Sequence, residues 1–211
     1  MPTRSAVAVA LVCASRLELG AFLLYRVLKR GKDSRFDAVR GSCLTFLAFW
    51  IWQMLWVYIV SLSFMFLVAD ASRVSSGPIG AADVIGWTTF VLGFALQAAA
   101  DLQKNAFRSN PANNKKVCTV GVWGYSRHPN YCGECAFWSG LALFGVSSGA
   151  VRSEPMLLMG VAAMWCFFRF ASVPIMDSRS CARRPDYATI MQSTSPLLLW
   201  PPAGGGMPAR A

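Results

Sequence analysis

The side chains best suited to chemistry are concentrated in one short segment, YSRHPNYCGE at residues 125–134. Pro129 is well placed as the first residue of a helix, because its φ is already fixed and it has no backbone N–H to lose. Asn130 and Glu134 then lie one turn apart on a single helical face. A helix N-terminus beside basic side chains suits a phosphate group, so the segment predicts a site for a phosphorylated ligand.

The residues around this helix start include proton donors and groups that can orient a ligand. A tyrosine can donate a proton, and a glutamate can orient amide or ribose hydroxyl groups. The same pattern is compatible with a structured turn whose aromatic and basic side chains reach the membrane interface. The candidate reactive residues are Tyr125, Tyr131 and Glu134, and Arg127, His128 and Asn130 lie beside them.

A polar stripe lies in the apolar stretch and helix end that precede this segment. Gln97, Asp101, Lys104 and Arg108 follow one another at intervals of four, three and four residues, which places them on one helical face. A solvated helix end would explain Lys104 and Arg108. Gln97 lies deeper in the apolar stretch, so a pocket lined by the stripe is the competing interpretation.

One charged residue, Arg169, stands inside the apolar stretch 155–176. Charged side chains at such depth usually pair or line a cavity, although an arginine can also extend toward the interface. The expected partners are Glu134, Asp101 and Asp177. A second basic and aromatic cluster follows at residues 183–187, and it can close over an anionic ligand together with the 104–134 loop or contact anionic lipid head groups.

The cysteines do not favour a metal site or a disulfide framework. Their number, seven, is odd, and most lie in or beside apolar runs. Cys132 and Cys135 form a C-x-x-C, but the chain has one histidine and no second cysteine pair. We therefore expect buried thiols and no bound metal, with a redox pair as the alternative.

The composition indicates an integral membrane protein. Hydrophobic residues make up 55% of the 211 residues, charged residues only 14%, and the formal net charge is +10. In typical soluble domains about a quarter of the residues are charged. A nucleic-acid-binding module is basic but less apolar, and a disordered chain has too little apolar surface to bury. With these classes excluded, the composition indicates a membrane protein with basic loops. Its length predicts one compact domain.

The apolar segments predict an all-α fold, a polytopic transmembrane helical bundle of about five spans with basic loops and helix ends that form a cofactor-type pocket. The five segments that approach the ~20 residues of a membrane helix are 5–25, 44–69, 84–100, 135–151 and 155–176. Basic loops alternate with nearly neutral ones, as the positive-inside rule requires, so we expect the N-terminus on the non-cytoplasmic side. The first segment can mimic a signal peptide, but we favour a retained span. Residues 1–202 are predicted to form one membrane-embedded domain, with 203–211 as a flexible tail.

Several motifs resemble the signature of the steroid 5-alpha-reductase-like membrane proteins, in particular the DUF1295 subgroup. These motifs are DLQK at 101–104, Phe107, the glycine–tryptophan run at 121–124, and YSRHPNYCGE at 125–134. The resemblance covers roughly residues 15–202. Sterol C14-reductases and isoprenylcysteine methyltransferases share a looser version of the signature.

This resemblance implies a membrane-bound reductase that uses NADPH to reduce a carbon–carbon double bond of a lipid or sterol-like enone. Basic side chains would bind the phosphates, and Asn130 with Glu134 would hold the nicotinamide or ribose. Tyr125, Tyr131 and Glu134 are the implied catalytic residues. The implied cofactor-binding residues are Asp101, Lys104, Arg108, Arg127, His128, Asn130, Arg169 and Tyr187.

Members of this family commonly carry additional N-terminal spans that help to wall the substrate cavity. The short N-terminal part therefore leaves a second expectation, a non-catalytic accessory subunit of a larger membrane complex that keeps the reductase fold. A third is a lipid methyltransferase that uses S-adenosylmethionine, which the looser motif permits. The expected partners are membrane lipids, a lipid-like substrate and other subunits, without nucleic acid, in the endoplasmic reticulum or the inner mitochondrial membrane.

Overall fold

The structure is a computed structural model that describes residues 3–31, 36–37, 39–69, 78–147 and 158–201. Within these ranges the regular elements are all helical, which confirms the predicted all-α class. The longer helices are α1 (Thr3–Arg30), α2 (Cys43–Ala69), α3 (Ala81–Ser109), α4 (Pro129–Ser147), α5 (Met159–Phe167), α6 (Val173–Arg183) and α7 (Tyr187–Ser193). Two short 3₁₀ helices, Pro111–Asn113 and Gly121–Gly124, lie between α3 and α4. The predicted tail, residues 203–211, lies outside the described residues.

Within the described ranges four helical stretches are long and apolar enough to cross a membrane, so the protein is an integral membrane protein. They are Thr3–Lys29, Cys43–Met65, Ala81–Ser109 and Met159–Arg183. This number roughly matches the five predicted spans. The remaining predicted span, residues 135–151, begins within α4 and continues past Ser147 into residues that are not described.

The chain divides into two compact units, Met1–Gly80 with Gly145–Gly160, and Ala81–Phe144 with Val161–Ala211. In the first unit, α1 and α2 contact each other through polar groups as well as apolar ones. The buried Ser5 hydroxyl donates to the Leu67 carbonyl at 3.2 Å. The buried Arg4 guanidinium donates to the Pro78 carbonyl at 2.8 Å, which ties the start of α1 to the segment after α2. The sequence-predicted site residues all belong to the second unit.

Glycines bring α3 and α4 of the second unit into backbone contact. A Cβ added at Gly133 would lie 2.6 Å from the Gln97 nitrogen, and one at Gly140 would lie 2.5 Å from the Phe90 nitrogen. Gly86 and Gly93 occupy the matching positions on α3, again seven residues apart. Small residues permit this close packing where helices associate in a membrane. The contact fixes the polar end of α3 against the beginning of α4.

The loop between α3 and α4 is anchored on the last turns of α3. The Trp123 indole N–H donates to the Ala100 carbonyl at 2.8 Å, and the Val122 N–H donates to Gln103 Oε1 at 3.0 Å. Phe107 and Cys118 complete a small buried core with Ala100 and Trp123. The loop therefore has a fixed position, and it carries the residues before Pro129 to the start of α4.

The last apolar helix is interrupted between α5 and α6 by a π-helical segment, Phe168–Ser172. Pro174 explains the interruption, because it has no N–H to donate to the Phe170 carbonyl and its ring crowds that carbonyl. The Val173 N–H instead bonds to the Phe168 carbonyl, five residues earlier. Such single-turn π segments occur frequently at functional sites.

Candidate functional site

A cavity of about 110 Å³ lies among the end of α3, the following loop, the start of α4, and helices α6 and α7. Four basic residues line it, and no carboxylate among the described residues does so. Seven of the eleven residues that the sequence singled out belong to this lining: Lys104, Arg108, Arg127, His128, Asn130, Tyr131 and Tyr187. The tertiary structure thus brings together residues that lie as far apart in the chain as Lys104 and Tyr187.

Lys104 is held in the cavity by an aromatic contact. Its Nζ lies 4.1 Å from the centroid of the Trp123 ring, within the range of a cation–π interaction. The hydrogen bond from Trp123 to the Ala100 carbonyl fixes the ring. The ammonium group is therefore positioned by the α3–loop contact before any ligand arrives.

A buried ionic network on Asp177 forms one wall of the cavity. Arg127 Nη2 lies 2.9 Å from Asp177 Oδ2, and His128 Nε2 lies 2.9 Å from Asp177 Oδ1. The Tyr187 hydroxyl donates to the same Oδ1 at 2.5 Å. The His128 bond requires a proton on Nε2, since a carboxylate can only accept. One carboxylate thus joins the start of α4, the middle of α6 and the start of α7.

Arg127 also holds the segment that follows α7. Its Nη1 donates to the carbonyls of Met191 at 2.8 Å and Thr194 at 3.3 Å, and its backbone N–H donates to the Ser195 carbonyl at 2.9 Å. The neighbouring Ser126 hydroxyl donates to the Leu197 carbonyl at 2.8 Å. Arg127 therefore has a structural role in assembling the cavity wall.

Burial raises the pKa of two acidic groups at the cavity. Burial, and then the hydrogen bond to Asp177, raise the pKa of the Tyr187 hydroxyl above its ordinary value. Burial likewise raises the pKa of the Cys118 thiol. For the cation Arg184, burial lowers the pKa, and its buried Nε has no hydrogen-bond partner among the described residues. The cavity lining is therefore basic, and one of its four arginine and lysine residues, Arg127, is paired with Asp177.

A polar strip between α3 and α4 adjoins the cavity. Asn130 Nδ2 donates to Asp101 Oδ1 at 3.5 Å, and the Trp138 indole donates to Glu134 Oε1 at 3.0 Å. Gln97 is only 7% exposed, and within the described residues its buried Oε1 accepts no hydrogen bond. Because Asn130 belongs to both the strip and the cavity lining, the two form one continuous polar region.

Tyr131 stands in an aromatic column at the edge of the cavity. Its ring stacks on the His128 ring at 5.1 Å between centroids, and on the Phe168 ring at 4.4 Å. The column connects the start of α4 with the π-helical segment. The orientation of the Tyr131 ring is thereby fixed from both faces.

Two predicted residues lie away from the cavity. Tyr125 is 39% exposed, and its carbonyl accepts the Trp200 N–H at 3.2 Å. Arg169 is exposed and lines a separate groove. Its expected partner Asp177 is engaged by Arg127 and His128 instead, so that expected pairing is wrong.

Trp123 and Cys118 line the cavity although the sequence assigned them no site role, and Asp177, expected as a partner of Arg169, instead binds Arg127 and His128 of the lining. The signal for Asp177 was present, since it is an isolated acid among the basic residues of α6. Trp123 could have been recognised by its place in the glycine–tryptophan run 121–124, directly before the motif at 125–134. Cys118 had no signal beyond its hydrophobic neighbours.

The chain matches one protein family and is similar to several curated proteins, three of which are described below. Residues 1–194 match the family DUF1295, described as a protein of unknown function. The chain is 32% identical over 127 residues to a Delta(14)-sterol reductase of Gibberella zeae, across 51% of this chain and 25% of the relative. It is 33% identical over 96 residues to a Delta(14)-sterol reductase of Gallus gallus, across 39% and 14% of the two chains.

The third relative is a probable O-methyltransferase of Ustilaginoidea virens, which is 31% identical over 102 residues, across 48% of this chain and 34% of the relative. The chain thus spans about a third or less of the length of these relatives. No solved structure matches it significantly.

Proposed function

The chain belongs to the DUF1295 family, and from that membership and its cationic cavity we propose that it is a membrane reductase. Its proposed cofactor is NADPH, and its proposed substrate is a sterol-like lipid with a carbon–carbon double bond conjugated to a carbonyl. The similarity to two Delta(14)-sterol reductases supports the reaction class. The cavity supports the cofactor class.

The observation that carries the proposal is the charge of the cavity lining. Lys104, Arg108 and Arg184 face a space of about 110 Å³ that no described carboxylate lines. That volume suits a phosphate group and is too small for a whole dinucleotide, so the remainder of the cofactor would extend along the adjoining polar strip. Charge-assisted hydrogen bonds from arginine and lysine to phosphate are among the strongest in proteins.

The polar strip fits the other end of the cofactor. The buried Gln97 Oε1 accepts no hydrogen bond within the described part of the chain, and a carboxamide N–H would satisfy it. Asn130 and Glu134 lie on the same face and can hold an amide or ribose hydroxyls. Bound NADPH would supply the hydride. The protein would fix its phosphates at the cationic end and its amide at the strip.

Among the proposed proton donors, Tyr131 is best placed. It lines the cavity, and its ring is fixed between His128 and Phe168. We assign proton donation to the Tyr131 hydroxyl, and orientation of the bound cofactor to Glu134. Tyr125, which lies outside the lining, is a weaker candidate for either role.

Titration calorimetry of the purified chain with NADPH tests the proposal. We expect Lys104→Gln to weaken NADPH binding about tenfold or more, since a hydrogen bond to a charged group contributes about 1.5–3 kcal/mol. Lys116→Gln is the matched control, because Lys116 is exposed in the loop and does not line the cavity. Equal affinity in the two variants would refute the assignment of Lys104 to the phosphate site.

Cys118 offers a chemical test that does not depend on turnover. Because the thiol lines the cavity, saturating NADPH is expected to slow its alkylation by N-ethylmaleimide several-fold, as measured by peptide mass spectrometry. The raised pKa of the buried thiol makes the reaction slow at neutral pH and faster as the pH rises. Cys43 is exposed, so its alkylation should not respond to NADPH; unchanged alkylation of Cys118 would contradict cofactor binding here.

The similarity to a probable O-methyltransferase supports a second candidate, a lipid methyltransferase that uses S-adenosylmethionine. The positive sulfonium of that cofactor would meet Lys104, Arg108 and Arg184 without a lining carboxylate among the described residues. The cavity therefore favours NADPH. Calorimetry with S-adenosylmethionine decides between the two, and a chain that binds neither cofactor supports the accessory-subunit alternative.

A further inference from the structure

Arg169 is an exposed cation with apolar neighbours along its helix. It lies on the π-helical segment within the membrane-spanning stretch Met159–Arg183, and it is exposed. Its neighbour Phe170 is 73% exposed, and Ile175, one and a half turns further on, is 49% exposed. A charged side chain in such surroundings is costly unless it reaches a partner or the interface.

No carboxylate in the described ranges pairs with Arg169. The contact that the structure shows for its guanidinium is with the Phe170 ring, at 5.4 Å from Cζ to the centroid. Asp177 lies on the same helical stretch and also lines the groove beside Arg169. It is bonded to Arg127, His128 and Tyr187 instead. The charge of Arg169 is therefore available to a ligand.

The surface beside Arg169 is a groove of about 380 Å³. Its polar lining consists of Arg169, the Arg127–Asp177 pair and Ser178, which leaves a net charge of +1. Val173 and Pro174 form part of its apolar lining. This groove shares one lining residue, Arg127, with the 110 Å³ cavity. The other lining residues of the two differ, so the groove is a separate site.

We infer that this groove binds the head group of an anionic glycerophospholipid, with the lipid phosphate on Arg169 and an acyl chain along the apolar side. An arginine in a membrane-spanning segment extends its guanidinium toward the interface, where lipid phosphates lie, while its aliphatic stem covers apolar surface. The exposed apolar neighbours favour a lipid over a soluble phosphate ester, and the net positive charge favours an anionic lipid over a zwitterionic one.

Native mass spectrometry of the full chain in detergent tests this inference. The protein is titrated with phosphatidylglycerol or with phosphatidylcholine, and the lipid-bound fraction is measured. We expect Arg169→Gln to reduce phosphatidylglycerol binding about fivefold, the effect of one basic residue near an anionic lipid surface, and Arg169→Lys to retain most of it. Arg179→Gln is the matched control, since Arg179 is exposed on the same helical stretch outside the groove.

The inference would be overturned by equal losses in Arg169→Gln and Arg179→Gln, by equal binding of the two lipids by the unmodified chain, or by displacement of phosphatidylglycerol by millimolar inorganic phosphate alone. The last result would identify a free-phosphate site instead. Arg169→Lys keeps the positive charge, so lipid binding by this variant shows that a substitution at this position does not by itself misfold the protein. If Arg169→Lys loses lipid as fully as Arg169→Gln while both variants melt at the temperature of the unmodified chain, the charge of Arg169 is not what holds the lipid.

Discussion

Asp177→Asn is expected to lower the free energy of unfolding by about 3–5 kcal/mol, the usual cost of removing one partner from a buried ion pair. The substitution is isosteric, so it leaves the volume of the site unchanged. It replaces a carboxylate that binds Arg127, His128 and Tyr187 by an amide that is neutral. The Arg127 guanidinium, whose side chain is 8% exposed, then remains buried without a counterion.

Thermal unfolding in detergent, followed by tryptophan fluorescence, measures this effect. For a chain of this length a loss of that size corresponds to a fall in Tm of about 10 °C. Asp186→Asn removes the same charge at an exposed position that makes no side-chain cap bond to α7, and it should change stability by about 0.5 kcal/mol or less. If both variants melt at the same temperature, the Asp177 network does not stabilise the fold.

Replacing Arg127 tests the same buried ion pair from its other side. Arg127 donates to Met191 and Thr194 carbonyls as well as to Asp177, so Arg127→Met should resemble Asp177→Asn in its thermal unfolding. In the double variant the two losses should not add, because both remove the same interaction. Additive losses would mean that the two side chains stabilise the protein independently.

Gly133→Ala is expected to destabilise the chain by about 3 kcal/mol, at the upper end of overpacking costs. The added Cβ would lie 2.6 Å from the Gln97 nitrogen and 2.7 Å from the Gly93 carbonyl oxygen. Both are backbone atoms, so no side-chain rotation can relieve the overlap and α3 must move away from α4. Since Gln97 and Asn130 lie at this contact, NADPH binding should weaken together with stability.

Gly20→Ala provides the control for this prediction in the same kind of element. Nothing in the described structure lies within 4 Å of a Cβ added at Gly20, which is exposed in α1. There the alanine should stabilise the helix by about 0.5–1 kcal/mol, since glycine is the poorer helix former. A Gly133→Ala variant that melts at or above the temperature of the unmodified chain would refute the backbone contact between α3 and α4.

The helices and the family could be predicted from the sequence because both depend on local patterns. Apolar runs of about 20 residues predicted the spans, and the part of the chain that the structure describes contains four helices of that kind. The motif at 125–134 predicted a helix that begins at Pro129, and α4 begins there. The resemblance to DUF1295 is confirmed by a match over residues 1–194.

The partners of the charged residues could not be predicted in the same way. Arg169 and Arg127 are both arginines near apolar helices, and the sequence offered Asp177 as a partner of the first. The structure pairs Asp177 with Arg127, fifty positions earlier in the chain. Which cation meets a carboxylate depends on how α4 and α6 pack, and ion pairing has no signature in the spacing of residues on separate helices.

The sequence by itself determined that this is an apolar, basic, helical membrane protein of a recognisable family, because composition, periodicity and motif spacing are properties of the chain. Only the tertiary structure decided which basic residues share a cavity. It grouped Lys104, Arg108 and Arg184 around one space, assigned Arg127 to a buried ion pair, and separated Arg169 into a groove of its own. The physical reason is that backbone contacts at glycines and the buried Asp177 carboxylate set the distances between helices, and those distances decide which charges act together.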